Sequence, residues 1–298
     1  SIDPFGGEIK KGKIWGRGAA DMKSGIAAFI AAVSEFMEKN KNLNDYGSIS
    51  FIITSDEEGK AKNGTKKVVE WLINKSEKIS GCIVGEPTNV NQMGDTIKIG
   101  RRGSFNGSLI VKGIQGHVGY PDLAENPINS LLKMLEPFTN IYLDKGTNEF
   151  QPSSVMVTTI DVNNDASNVI PGQVKAKFNI RFNTLHSVAS LQSMLKKQFD
   201  SITKNYEFDY FCNAEPFLTS DEQLKSTLHN AITKVVDVNP QKSTTGGTSD
   251  ARFIRKISPC LEFGLVGKTM HKVDEAVSLS DLKKLTLIYS NILKNYFK

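Results

Sequence analysis

Residues 12–39 read GKIWGRGAADMKSGIAAFIAAVSEFMEK, which predicts a short strand, a glycine-rich turn and a helix. The helix should run from Ser24 to about Lys39, because apolar residues recur there at helical spacing. GSISFIITSDEEG (47–59) predicts a strand ending in an acidic turn. A basic amphipathic helix should follow from about Thr65 to Asn74, and then the buried strand of GCIVGEPT (81–88). Strands that alternate with helices in this way are typical of a layered α/β domain.

The pattern changes after Arg102 and returns near Pro216. Between them come alternating strands and two short helices, with a closing strand near YEFDYF (206–211). This βαββα order predicts a small ferredoxin-like α+β domain inserted into the larger one. We therefore expect a discontinuous α/β domain of residues 1–102 and 216–298. Residues 103–215 should form the insert, whose edge strands could pair across a two-fold axis in a homodimer.

The composition is that of an ordinary globular protein. Of 298 residues, 39% are hydrophobic, which is enough for two buried cores. The net charge of +5 is spread along the chain, so we expect no nucleic-acid partner. No apolar segment reaches the ~20 residues that span a bilayer, so we expect no membrane partner. Three distant cysteines form no disulfide framework, which indicates the cytoplasm.

Four acidic residues follow predicted buried elements: Asp21, Glu57, Glu58 and Glu86. Ligands of open α/β sheets bind beyond the carboxyl ends of the strands, so these carboxylates should converge, with His271 beside them. Clustered carboxylates repel one another unless a cation neutralises them, and carboxylates with imidazole suit zinc. Neighbouring side chains of the Glu57–Glu58 pair point opposite ways, so one can bind metal while the other acts as a base. The alternative interpretation is that each acid caps the next helix.

Ten motifs together resemble the succinyl-diaminopimelate desuccinylase family, part of the zinc amidohydrolase and aminopeptidase superfamily. The resemblance covers essentially the whole chain, and the motifs occur in the family's order. They are GRGAADMKSG (16–25), TSDEEG (54–59), GEPT (85–88), IGRRGS (99–104), GIQGHVGYP (113–121), LAENP (123–127), NVIPG (168–172), FNIRF (178–182), TGGTSDARF (245–253) and MHKVDE (270–275).

The resemblance implies a zinc-peptidase-like catalytic domain with two divalent metal ions, zinc or alternatively cobalt. It makes Asp21 the carboxylate that bridges both ions and Glu57 the general base. It also makes Glu58 and His271 ligands of one ion and Glu86 a ligand of the other. The Asp21–Met22 peptide bond is expected to be cis, so that the bridging carboxylate is aimed at both ions.

The family's remaining ligand is a His in a His-x-Asp motif upstream of the bridging Asp, and no His precedes Asp21 here. The chain also opens on SIDPFGGEI without an initiator Met. We therefore expect the chain to be an N-terminally truncated catalytic domain. By itself it should bind zinc poorly and hydrolyse little substrate.

The inserted domain is expected to supply further site residues. In the family, the residue matching His117 reaches across the dimer interface to stabilise an oxyanion. The alternative is that His117 is an exposed turn residue. The resemblance places Arg102, Ser104 and Tyr120 around the succinyl carboxylate, for which a planar guanidinium is suited. The alternative for the Arg101–Arg102 pair is a solvated face.

The glycine-rich loop of residues 245–250 permits close backbone approach to an anion, and the family binds substrate there, which makes Gly247 and Thr248 candidates. Gly267 stands where the family often has Asn, so this position is left out of the predicted site.

The resemblance implies metal-dependent hydrolysis of succinyl-diaminopimelate to succinate and diaminopimelate, in lysine and diaminopimelate biosynthesis. One alternative is a related deacylase or carboxypeptidase, such as an acetylornithine deacetylase. A second alternative, from another class, is a non-catalytic dimeric binding protein.

Overall fold

The computed structural model describes residues 2–40, 47–59 and 61–297. It divides into two compact units. The first comprises Ser1–Gly100, Leu218–Thr244 and Ser249–Lys298, and the second comprises Arg101–Phe217 with Thr245–Thr248. The predicted domain bounds of 1–102 with 216–298 and of 103–215 stay a prediction. Residues 245–248 belong to the second unit, although the chain on both sides of them belongs to the first. The reason is local, since the Arg101 guanidinium donates to the carbonyl oxygen of Thr245 over 3.1 Å.

The main regular elements in the described part of the chain are β-strands and α-helices. The strands are β1 (Glu8–Lys10), β2 (Lys13–Trp15), β3 (Cys82–Val84), β4 (Thr96–Lys98), β5 (Gly100–Arg101), β6 (Gly103–Lys112), β7 (Gly116–His117), β8 (Ser154–Asp161), β9 (Val169–Ile170), β10 (Gln173–Phe182), β11 (Tyr206–Ala214), β12 (Phe217–Leu218), β13 (Gln241–Ser243), β14 (Cys260–Glu262) and β15 (Ala276–Ser278). The helices are α1 (Ser24–Lys39), α2 (Thr65–Asn74), α3 (Pro127–Leu135), α4 (Val188–Asp200), α5 (Glu222–Val236), α6 (Ala251–Ile254) and α7 (Leu279–Tyr296).

The first unit is built around a mostly parallel sheet with the strand order β13-β4-β14-β3. Its β13–β4 and β14–β3 pairs are parallel, and β14 meets β4 antiparallel. Helices α1, α5 and α7 share one hydrophobic core with the sheet. Ala28, Ala32 and Phe36 of α1 recur at the i, i+4 spacing that places side chains on one helix face, and all three are buried. This confirms the predicted α/β layers.

A second, three-stranded sheet has the order β1-β2-β15. Its β15 pairs antiparallel with β2, so that Ala276 lies opposite Trp15 and Ser278 opposite Lys13. This pairing joins two segments that are far apart in the sequence. The chain that follows His271 therefore lies beside the chain that precedes Asp21.

The second unit is an antiparallel sheet with the order β11-β6-β10-β8, packed with α3 and α4. Alternate residues of β10 are buried, as expected of a strand with one face on a core. Its core includes Phe105 and Phe178 from the sheet and Leu195 and Phe199 from α4. The unit is the expected α+β sandwich.

One predicted strand is wrong. Residues 47–54 have no regular secondary structure, although their sequence is rich in β-branched and aromatic residues. A strand requires a neighbour that completes its hydrogen bonds, and β-propensity alone does not supply one. Phe51 and Ile53 of this segment are 40% and 58% exposed.

No helix within the described ranges combines the length and the hydrophobicity needed to cross a bilayer.

Candidate metal centre and active site

Three predicted ligands lie together in the first unit. The Nε2 atom of His271 is 3.2 Å from Asp21 Oδ2 and 3.1 Å from Glu58 Oε1. One ligand atom from each of the three lies within 4.8 Å of the others. The three come from the turn before α1, from the acidic turn near residue 58 and from the turn before β15. Their donor set, two carboxylates and an imidazole, fits a zinc-like cation.

The turn before α1 aims the Asp21 carboxylate. Asp21 has φ −123° and ψ 91°, outside the helical region, and α1 begins only at Ser24. The Asp21–Met22 peptide bond is cis, as predicted.

The electrostatics of the three groups favour a cation. Burial raises the pKa of Asp21, and the neighbouring Glu58 carboxylate raises it further. The same Glu58 carboxylate raises the pKa of His271. The Glu58 carboxylate therefore disfavours the charge of Asp21, and the His271 imidazole favours it. A divalent cation among these ligand atoms would neutralise both carboxylates.

Glu57 has properties that suit a general base. Burial raises its pKa to about 7, with the carboxylates of Asp250 and Glu58 acting in the same direction. The Arg252 guanidinium opposes this shift. A carboxyl group that titrates near neutral pH can both take and return a proton. Its role as the base stays a prediction.

Glu86 follows β3 in a half-buried turn and is not one of the three clustered residues. Gly264 packs directly against this turn. A Cβ atom at Gly264 would lie 2.5 Å from the carbonyl oxygen of Glu86 and closer still to that of Gly85. Glycine is therefore required here for the close approach of two backbones. That Glu86 binds a second ion stays a prediction.

Gly264→Ala should lower the free energy of unfolding by about 1–3 kcal/mol, because the added methyl group overlaps two carbonyl oxygens that belong to the backbone. Chemical denaturation of both proteins measures this difference. Gly247→Ala is the matched control for stability, since a Cβ atom there meets no other atom within 4 Å. Equal loss of stability in both variants would contradict the steric argument.

His117 and Tyr120 lie in one exposed turn of the second unit. Nδ1 of His117 accepts a hydrogen bond from the Gly119 N–H over 3.0 Å, and the two rings are 5.7 Å apart. The turn is anchored where β7 pairs antiparallel with β9, part of the NVIPG motif. Both side chains are therefore free to meet another molecule, and their roles stay predictions.

Arg102 and Ser104 differ in accessibility. Ser104 is 1% exposed, and its hydroxyl accepts a hydrogen bond from Asn179 over 3.1 Å. The burial and the hydrogen bond favour a structural role for Ser104. They do not support the predicted contact between Ser104 and the substrate. Arg102 donates to the carbonyl oxygen of Pro152 over 3.1 Å, and its buried Nε has no partner among the described atoms.

Sequence reasoning missed Arg181, which lies beside Arg102. Burial lowers the pKa of both guanidinium groups, and the charge of Arg102 lowers that of Arg181 further. Two half-buried cations in proximity favour an anion between them. The signal was present in the FNIRF motif, in which Arg181 is the one ionisable residue of the five.

In the glycine-rich loop, Gly246 has φ +102°, and a Cβ atom there would lie 2.6 Å from the Arg101 guanidinium. Gly247 is open and exposed, and Thr248 is half-buried. Their predicted contacts with substrate stay predictions.

The fold and the clustered ligands define a metal-dependent hydrolase, and comparison with known proteins gives its family. Residues 1–295 match the model of peptidase family M20/M25/M40, and the chain belongs to this family. It is 58% identical to the succinyl-diaminopimelate desuccinylase of Pelagibacter ubique (strain HTCC1062), over 100% of this chain and 78% of that one. It is 46% identical to the enzyme of that name from Wolbachia pipientis wMel, over 100% of this chain and 74% of that one. These identities confirm the resemblance.

The fold is also similar to that of a solved aminopeptidase, PepT from Bacillus cereus ATCC 10987. The TM-score is 0.78 at 19% identity, over 98% of this chain and 76% of that one. At this identity the likeness shows the fold alone. It confirms the predicted architecture of an α/β domain with an inserted α+β domain.

Proposed function

We propose that this protein hydrolyses the amide bond of succinyl-diaminopimelate to give succinate and diaminopimelate, in the cytoplasmic synthesis of diaminopimelate and lysine. The observation that carries the proposal is the cluster of Asp21, Glu58 and His271 ligand atoms within 4.8 Å. Glu57, next to Glu58 in the chain, has a pKa of about 7 and supplies the proton-transfer group. The names of the relatives supply the substrate.

The metal centre would be held by this chain's carboxylates and imidazole. Asp21, Glu58 and His271 would hold one divalent ion, and Asp21 would share a second ion with Glu86. Zinc fits this donor set, and cobalt is the alternative. When bound, such ions polarise a carbonyl group and lower the pKa of water.

Glu57 would perform the proton transfers. Its carboxylate takes a proton from the attacking water as the C–O bond forms. It then returns that proton to the nitrogen of diaminopimelate as the amide C–N bond breaks. A pKa near 7 makes both transfers feasible at neutral pH.

Recognition of the succinyl carboxylate is assigned to Arg102, with Arg181 beside it. Two guanidinium groups whose pKa values are lowered by burial would be stabilised by an anion. Tyr120, Gly247 and Thr248 would complete the substrate contacts. His117 of the partner subunit would donate to the developing oxyanion.

Turnover of succinyl-diaminopimelate and acetylornithine, measured side by side with the zinc-loaded full-length protein, tests the proposal. We expect hydrolysis of the succinyl substrate to be far faster. Faster hydrolysis of acetylornithine would favour the related deacylase, and no hydrolysis of either by a metal-loaded protein would favour a binding protein.

We also predict a dimer that forms through the second unit. Strand β8 is at the edge of its sheet and exposes Met156 and Ile160, which are 49% and 53% exposed. An exposed apolar edge strand favours pairing with a second copy across a two-fold axis. Sedimentation at micromolar concentration should show a dimer, and Ile160→Asp should shift it to monomer.

Leu287→Asp is the matched control for this experiment. Leu287 is an apolar residue of α7 in the first unit, and it is 51% exposed. The charge it introduces should leave the dimer intact. A protein that sediments as a monomer before any substitution would contradict the prediction.

A further inference from the structure

One buried acidic side chain beside the ligand cluster is used by none of the roles above. Glu275 is 3% exposed, and its carboxylate accepts four hydrogen bonds. Its Oε1 accepts from the backbone N–H groups of Ala20 and Asp21, over 2.8 and 3.0 Å. Its Oε2 accepts from the N–H of Gly18 over 2.9 Å and from the Arg17 guanidinium over 3.1 Å.

The three backbone donors all belong to the turn that carries Asp21. These residues precede α1, which begins at Ser24, and N–H groups at the start of a helix have no acceptor within that helix. The carboxylate of Glu275 supplies the acceptor oxygens that these N–H groups need. Hydrogen bonds to a charged acceptor are shorter and stronger than those between neutral groups, so they fix this turn firmly.

Glu275 also belongs to the segment that carries His271. Its own carbonyl oxygen accepts from the Gly16 N–H over 3.0 Å. The Arg17 guanidinium donates to the carbonyl oxygen of Lys272 over 3.2 Å. Immediately afterwards, Ala276 pairs with Trp15 in the β15–β2 ladder. The segments that carry Asp21 and His271 are therefore held together around one carboxylate.

We propose that Glu275 is a positioning residue of the metal centre, which sets the orientation of Asp21 and its distance from His271. The inference rests on the proposed metal centre. Glu275 is not one of the three residues whose ligand atoms cluster in the described structure, so it acts through Asp21. Its oxygens are engaged by four donors and face the turn.

The rival explanation is that Glu275 only stabilises the fold. The two explanations predict different metal binding by the folded variant. If Glu275 only stabilises the fold, its loss lowers the melting temperature, and the protein that remains folded binds metal as before. A positioning residue that is lost changes the affinity and the coordination geometry in the folded protein as well.

Glu275→Gln tests this inference, because it keeps the side-chain volume but replaces one acceptor oxygen by an N–H donor that faces backbone N–H groups. The affinity for zinc is measured by competition with a chromophoric chelator, and the geometry by the visible absorption of the protein loaded with cobalt. We expect zinc to bind about 10–100-fold more weakly, as for other residues that orient a metal ligand. The cobalt bands should shift.

Asp274→Asn is the matched control. Asp274 is the adjacent residue in the chain, and its carboxylate accepts from the Ile2 N–H over 2.8 Å, away from the Asp21 turn. Its zinc affinity and cobalt spectrum should equal those of the unmodified protein.

Unchanged zinc affinity and cobalt spectrum in folded Glu275→Gln would overturn the inference, whatever the melting temperature. If that variant does not fold, Glu275→Asp keeps the charge and withdraws the oxygens from the turn. It should also bind zinc more weakly, and unchanged binding would overturn the inference equally. Failure of the unmodified full-length protein to bind either metal would instead refute the metal centre, and the role of Glu275 with it.

Discussion

In the full-length protein, Glu57→Gln should reduce the turnover of succinyl-diaminopimelate about 10²–10⁴-fold, the usual contribution of a general base. The amide is nearly the same size as the carboxyl group but cannot accept the proton of the attacking water. Glu57 is outside the ligand cluster, so the variant should keep its metal. Steady-state kinetics and metal analysis of the same dialysed sample measure both quantities.

Glu58→Gln is the matched control, because it makes the same chemical change at the adjacent residue. Glu58 belongs to the ligand cluster, 3.1 Å from His271. This variant should lose metal after dialysis, and added zinc should restore part of its turnover. If Glu57→Gln lost the metal and Glu58→Gln kept it, the assignment of base and ligand would be reversed.

Local patterns predicted the helices well. The predicted bounds of α1 and α2 agree with Ser24–Lys39 and Thr65–Asn74. Apolar residues at helical spacing predict a helix, and the whole pattern lies within a few helical turns of the chain. The convergence of Asp21, Glu58 and His271 followed from a general rule about sheets and from the motifs. The motifs still predict this convergence when an individual strand is predicted wrongly.

Long-range structure was not predictable in the same way. Residues 47–54 have the composition of a strand, but whether they form one depends on a partner elsewhere in the chain. Ser104 stands in a family motif, and only the register opposite Arg181 and Ala214 shows that its side chain is buried. Glu275 was visible as the last residue of MHKVDE, but its four donors come from a segment more than two hundred residues away.

His271→Ala should weaken zinc binding by more than about 100-fold, since loss of a residue that merely orients a ligand already costs 10–100-fold. His271 is the imidazole of the cluster, and its Nε2 lies within 3.2 Å of both carboxylates. Without it, Asp21 and Glu58 face each other with no cationic neighbour in the cluster. Zinc would then have two carboxylates in place of the three protein ligands typical of a catalytic site.

The matched control for this prediction is His229→Ala. His229 is a half-buried histidine of α5, and its ring contacts Asn230 and Asn239. This variant loses the same side chain and should bind zinc as the unmodified protein does. Titration against a chromophoric chelator gives both affinities on one scale. Equal zinc affinity in the two variants would show that the cluster of Asp21, Glu58 and His271 is not the metal centre. A loss confined to His271→Ala would identify the imidazole as a ligand, because both variants share every other consequence of removing a histidine.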